Sequence, residues 1–190
     1  MQSIDRRDYL RLLDRISVEY SMVTPQFLQD SPAADAFELP PGFHLLRDLY
    51  RLDLEAQEIV RQVNDTDRTI GGFLHNLNSR LTLLADLIAV SRMSNNIPAD
   101  CNISAAGISF ASSEILPVDA LLALKLVFAS THLALTCFAQ VRYSRLEGEG
   151  YRIGTQFINL DATSDSLITR YIVHKQAEER RQRLLQSRFE

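Results

Sequence analysis

The sequence predicts an α+β fold: a small antiparallel barrel or sandwich closed by a C-terminal helix and interrupted after its first strand by a long helical insertion. Three observations predict it. Near the start, Ile16, Val18 and Tyr20 alternate with Ser17, Glu19 and Ser21, the period-two pattern of a half-buried strand. From Phe43 to Met93 the apolar period changes to that of helix. After Pro98, short segments rich in aliphatic and aromatic residues recur at the spacing of an antiparallel β domain.

The elements follow in order. Residues 1–11 are polar and charged and read as an arm ahead of the first strand. Pro25 ends that strand, and Pro32, Pro40 and Pro41 keep the stretch to Gly42 irregular, with room for a short helical turn. In the insertion, Val60, Val63, Asp67, Ile70, Leu74, Leu77, Leu81, Leu84, Ile88 and Ser91 are spaced by alternating threes and fours, the seam of a coiled coil. Leu45, Leu46, Leu49, Leu52, Ala56 and Ile59 form a second stripe upstream. The polar run Asn64 to Asp67 and the pair Gly71-Gly72 interrupt the pattern, each interior glycine costing about 1 kcal/mol. A single helix of about fifty residues would also carry the chain about 75 Å away from the strand it must rejoin. A hairpin is therefore expected, 43–63 out and 66–94 back, with Asp67 capping its second helix.

A two-helix hairpin cannot bury both stripes by itself, so self-association is expected through Val63, Ile70, Leu74, Leu77, Leu81, Leu84 and Ile88. Leu or Ile at both core positions leans toward three or four helices rather than two. In the last third, Ile108–Ser112, Leu121–Ala129, Leu133–Tyr143 and Tyr151–Leu160 read as strands, with Glu147-Gly148-Glu149-Gly150 at a hairpin tip. Asp161 to Arg188 reads as a helix capped by Thr163 or Ser164. Leu167, Ile168, Tyr171 and Ile172 are placed to pack on the β domain. The organisation is thus 1–24 for the arm and first strand, 25–97 for the helical insertion, and 98–190 for the remaining strands and last helix.

Composition narrows the function. The chain has 190 residues, 46% of them apolar and 23% charged, enough for a packed core. A net charge of −4 argues against a generic nucleic-acid binder. Cys101 and Cys137 form no metal or redox pattern. With no apolar leader and no run of membrane-spanning length, a cytoplasmic protein without direct membrane insertion is expected. His44, His75, His132 and His174 stand apart from any ligating or nucleophilic partner, so no catalytic residue, metal or cofactor is expected and the protein is not read as an enzyme.

Two motifs carry the specific signal. Arg7-Asp-Tyr-Leu-Arg11, with Arg6 beside it, places planar charged forks suited to phosphate oxygens and the edge of guanine. Asn102-Ile-Ser104-Ala-Ala-Gly107 places short polar side chains and a glycine on a turn. In this order, and followed by Tyr151-Arg-Ile-Gly154-Thr-Gln-Phe157 and a C-terminal helix, they resemble the PilZ domain, a bacterial receptor for cyclic di-GMP, over residues 6–24 and 100–188.

The resemblance implies a PilZ-type barrel. Arg7 and Arg11 would hold phosphates and guanine edges, Asn102 and Ser104 would bond the base, Gly107 would shape the turn, and Arg6 would assist. The long insertion resembles a helix-interrupted subtype that assembles into a tetramer through heptad repeats. It implies a homotetrameric receptor that relays cyclic di-GMP to a partner in motility, pilus function or virulence. The other reading is a PilZ-fold scaffold with little cyclic di-GMP binding.

Overall fold

The computed structural model describes residues 11–92, 97–129, 131 and 133–186. Strand β1 (Leu12–Met22) is followed by a short helix α1 (Pro25–Asp30), a 3-10 turn (Ala33–Ala36) and two long helices, α2 (Pro41–Thr66) and α3 (Arg68–Arg92). Then come β2 (Ala99–Ser104), β3 (Gly107–Ser112), β4 (Leu121–Phe128), β5 (Ala134–Glu147), β6 (Gly150–Ile158) and helix α4 (Ala162–Gln186). The strands close into one antiparallel barrel in the order β1-β2-β3-β6-β5-β4. Closure pairs β1 with β2 on one side and with β4 on the other.

Strand β1 begins at Leu12, ahead of the alternation that starts at Ile16. The reason is an inward-facing carboxylate. Leu12 and Ile16 are buried, and between them Asp14 accepts a hydrogen bond from the Tyr171 hydroxyl of α4, so a charged residue masks the apolar period. The segment 12–15, which the alternation leaves unassigned, is therefore strand.

Fully buried Ile103, Ile108, Leu122, Leu124, Leu126, Phe128 and Ile153 fill the barrel. Helix α4 seals one end with Leu167, Ile168, Tyr171 and Ile172, and the Phe128 and Tyr171 rings lie 4.5 Å apart. Its cap is Asp161 rather than Thr163 or Ser164: Asp161 Oδ1 accepts from the Thr163 and Ser164 N–H groups at 2.9 Å. The other carboxylate oxygen accepts from the Ser164 hydroxyl at 2.6 Å. A carboxylate satisfies both orphan donors better than the hydroxyls that follow it.

The insertion first runs down the outside of β4 and β5. Phe27 meets Phe138 edge-on at 6.3 Å, Phe37 lies 5.6 Å from Lys125 Nζ, and Lys125 pairs with Glu19. Phe43 and Leu46 of α2 then cover Val127 and Ala134, and Tyr50 joins the barrel core. Beyond Tyr50, α2 and α3 pack on one another.

They form a hairpin, broken where Asp67 Oδ1 accepts from the Thr69 and Ile70 N–H groups at 2.8 and 3.1 Å. Gly71 permits the crossing, because a Cβ there would come within 2.5 Å of Asn64. The break corrects the continuous seam: Val63 belongs to α2, and Ile70, Leu74, Leu77, Leu81, Leu84 and Ile88 belong to α3. The side chain of Ile88 lies outside the described residues. Among the described residues, no helix is long and apolar enough to cross a membrane.

Candidate ligand-binding site

The barrel wall away from the insertion carries a strip of small residues flanked by long ones, here called the trough, and strand register builds it row by row. Leu12 pairs with Ile103 and both face inward, so Arg11, one residue upstream, stands at the position opposite Ser104. Ser104 pairs in turn with Gly107 across a two-residue connection, Ala105-Ala106. The six-residue motif is therefore not one turn, as its composition suggested. Asn102 and Ser104 lie on β2, and Gly107 opens β3.

Asn102 is exposed, whereas Ser104 is buried with its hydroxyl donating to the Gly107 carbonyl at 3.4 Å. Gly107 is required by close approach, since a Cβ would stand 2.0 Å from the Thr155 carbonyl oxygen of β6. That contact is backbone and cannot swing aside.

The next row crosses Leu13, Asn102, Ser109, Gly154 and Tyr143. The one after it includes Arg15 beside Asp100, and Ala111 beside Arg152 and Arg145. The trough floor is made of small residues, Ser104, Gly107, Ser109, Ala111 and Gly154. Its sides are made of long ones.

A bulge on β5 shapes the far side. Val141 pairs with Thr155 and Tyr143 with Gly154, so Arg142 is the extra residue. The bulge turns Tyr143 outward along with Arg142, whereas strict alternation after buried Val141 would have sent Tyr143 inward. The Tyr143 ring then lies over Gly154, where a Cβ would meet it at 2.1 Å. The Arg145 guanidinium sits 4.7 Å from the ring centroid, a cation–π contact on the trough's margin.

The trough is bordered by arginines in different states of engagement. Arg152 is held by two hydrogen bonds of 2.8 Å to the Glu147 carboxylate and donates to the Asp100 carbonyl at 3.0 Å. The hydrogen bond from Arg152 holds the Glu147 carboxyl below its usual range, and the same bond raises the Arg152 guanidinium further. Arg142 donates to Gln156 at 2.9 Å and stands 3.5 Å from Asp119. Arg11 and Arg145 meet no carboxylate among the described residues.

The structure thus brings Arg11, Asn102, Ser104 and Gly107 to one corner of one wall. Arg6 and Arg7 lie outside the described residues. Ser109, Arg142, Tyr143, Arg145, Arg152 and Gly154 are neighbours that sequence reasoning missed. For Ser109 a signal existed, since it alternates outward between Ile108 and Phe110. For Tyr143 none did, because only the bulge turns it outward.

The fold is thus a small closed antiparallel barrel with helices covering one wall. Residues 87–174 match the family model of the PilZ domain. The match starts near the end of α3; residues 23–98 separate β1 and the Arg7–Arg11 motif from the rest of the barrel.

A solved structure from Xanthomonas campestris is similar over 91% of this chain and 89% of its own, with a TM-score of 0.57 and 15% identity. It is described as a pathogenic protein with a new tetrameric PilZ domain self-assembled via an unusual helical bundle. At that identity the likeness bears on the fold. No curated protein matches the chain. PilZ domains are generally receptors that bind cyclic di-GMP.

Proposed function

We propose that the chain is a cyclic di-GMP receptor that seats its ligand in the trough and assembles through the α2–α3 hairpin. The observation that carries the reading is the register that sets Arg11 opposite Ser104 and beside Asn102 on a PilZ barrel. Arg7 is four residues upstream of Arg11, within about 13 Å along an extended chain, a length that allows Arg7 and Arg6 to contact a ligand seated at the same corner. The ligand's two phosphates and guanine acceptors suit bidentate guanidinium forks. Tyr143, with Arg145 over its ring, offers a face on which a base can stack. Asn102 is the exposed polar side chain of the corner, and Ser104 and Gly107 fix the strand ends that present it.

The hairpin supports self-association on its own terms. Ile70, Phe73, Leu77, Leu81 and Leu84 are 42 to 67% exposed on α3. An apolar stripe of this length on one helix is the sign of an interface. Four copies are the number the X. campestris relative suggests. The same stripe favours a second reading, a scaffold whose output is assembly and whose ligand affinity is small.

Calorimetric titration with cyclic di-GMP, beside an Arg7→Ala/Arg11→Ala double variant, separates the two. Micromolar or tighter binding that the variant loses is expected. No heat from either protein would leave the scaffold reading standing and sink the receptor.

A further inference from the structure

The barrel end opposite α4 carries a second surface, remote from the trough corner at Arg11. Met22 closes β1 there, and Leu146 lies near the end of β5. Ile115 and Val118 project from the β3–β4 connection, residues 113–120; all four are 59 to 75% exposed. That connection is not loose. Leu116 is buried between the two exposed residues, and its carbonyl accepts from the Ser144 hydroxyl at 2.5 Å. Glu114 N–H donates to Ser112 Oγ at 3.1 Å, Asp119 N–H to the Val141 carbonyl at 2.9 Å, and Ala120 N–H to the Pro117 carbonyl at 3.2 Å. Asp119 holds φ of 67°, a strained conformation for a non-glycine residue, which persists because the contacts around it fix it. Apolar side chains are thus held rigidly in water on a fixed loop.

The rim around them is acidic on balance, since Arg145, next to Leu146, is turned to the outer wall over the Tyr143 ring. Glu114 and Glu149 are exposed and have no ion pair among the described residues. Glu147 and Asp119 also lie at this end, and the arginines they engage, Arg152 and Arg142, belong to the outer wall. We propose that this mouth docks a basic amphipathic helix of a partner protein.

The occupant follows from three features. An apolar collar with an acidic rim complements a segment that is apolar on one side and cationic at its edges. A second copy meeting mouth to mouth would set Glu114 and Glu149 against their own counterparts, which like-charge repulsion opposes. The collar lies on a connecting loop and at strand ends rather than along a strand edge, which favours the helix-in-surface mode. The location fits as well: α2 packs on Val127 and Ala134 at the other barrel end, so assembly through the hairpin leaves the mouth facing outward.

The test uses the full chain and a fluorescently labelled Lys/Leu amphipathic helical peptide, followed by anisotropy. Binding is expected to weaken about tenfold in Ile115→Ser/Val118→Ser, since truncating central apolar anchors costs the most at an interface. It should weaken about threefold in Glu114→Gln/Glu149→Gln, with a smaller drop between about 0.1 and about 0.5 M salt. Val173→Ser, at an exposed position of α4, the helix that seals the opposite end, should leave it unchanged. Should Ile115→Ser/Val118→Ser fail to fold, Leu146→Ser makes the same test from the opposite rim. No binding, equal binding of a Glu/Leu peptide, or binding indifferent to these substitutions overturns the proposal. So does self-association in sedimentation that Ile115→Ser/Val118→Ser abolishes, which would assign the mouth to a second copy.

Discussion

The barrel and the helical hairpin are built from similarly apolar sequence, yet they bury it differently. In the barrel, Leu122, Leu124, Leu126 and Phe128 are consecutive inward positions of β4, all fully buried. On α3, Ile70, Leu77, Leu81 and Leu84 recur at helical spacing and remain about half exposed. The contacts within the hairpin include polar ones: the Asn78 amide donates to Asp53 at 3.3 Å, and Gly71 crosses Asn64. A closed barrel turns one face of every strand into its own core, whereas two helices share one seam and leave the remaining stripe outside. The barrel has the contacts of an independent unit, whereas the hairpin leaves an apolar stripe outside its own packing.

The largest expected effect tests that difference directly. Leu77→Glu/Leu84→Glu should convert the assembled protein to monomer in light scattering, with the barrel's β signal in circular dichroism retained. Charges on a buried helix seam are intolerable, while the same charges on a solvated stripe are harmless. If assembly survives, the hairpin stripe is not the interface and the comparison breaks.

Within the barrel, Leu124→Ala should cost about 2–5 kcal/mol in urea unfolding, the price of a cavity in a filled core. Leu77→Ala, measured in the monomeric background, should change stability by less than about 0.5 kcal/mol. Gly107→Ala should fall between them, at about 1–3 kcal/mol, because the added methyl meets a β6 carbonyl oxygen that β3 and β6 can avoid only by separating. The same substitution at Gly72 meets nothing within 4 Å and should be neutral or slightly stabilising through helix propensity.

The two regions were also legible to different degrees. The hairpin, its break at Asp67 and the last four strands could be read from period and punctuation, because each is a local pattern. The early start of β1 could not, since Asp14 points inward and its partner Tyr171 is 157 residues away. Nor could the trough. Its corner was legible as two motifs, but Tyr143 reaches it through a bulge that no composition announces, and Ser109, Ala111 and Gly154 come together only once strand order places them side by side. Tyr50 stands in neither apolar stripe of the insertion. It is instead the residue by which the insertion enters the barrel core, where burial pushes its hydroxyl well above the usual range.

The smallest effect compares two caps of the same chemistry. Asp161 caps the helix that seals the barrel, and Asp67 caps α3 in the hairpin. Asp161→Ala should cost about 1 kcal/mol of global stability, because fraying α4 uncovers Leu167 and Ile168. Asp67→Ala should cost no more than that at the helix and leave barrel unfolding untouched. Acid sharpens the contrast. Burial pushes the Asp161 carboxyl up, but hydrogen bonds from the Ser164 side chain and from the Ser164 and Thr163 N–H groups outweigh it and hold the carboxyl below its ordinary value. A depressed folded value means that the charged cap stabilises the fold above the unfolded carboxyl's range, near pH 4, and loses that contribution as pH falls through the lower folded value. The stability gap between the native chain and Asp161→Asn should therefore be constant near neutrality and shrink as the pH drops below about 4. A gap that widens on acidification would mean that Asp161 does its work uncharged.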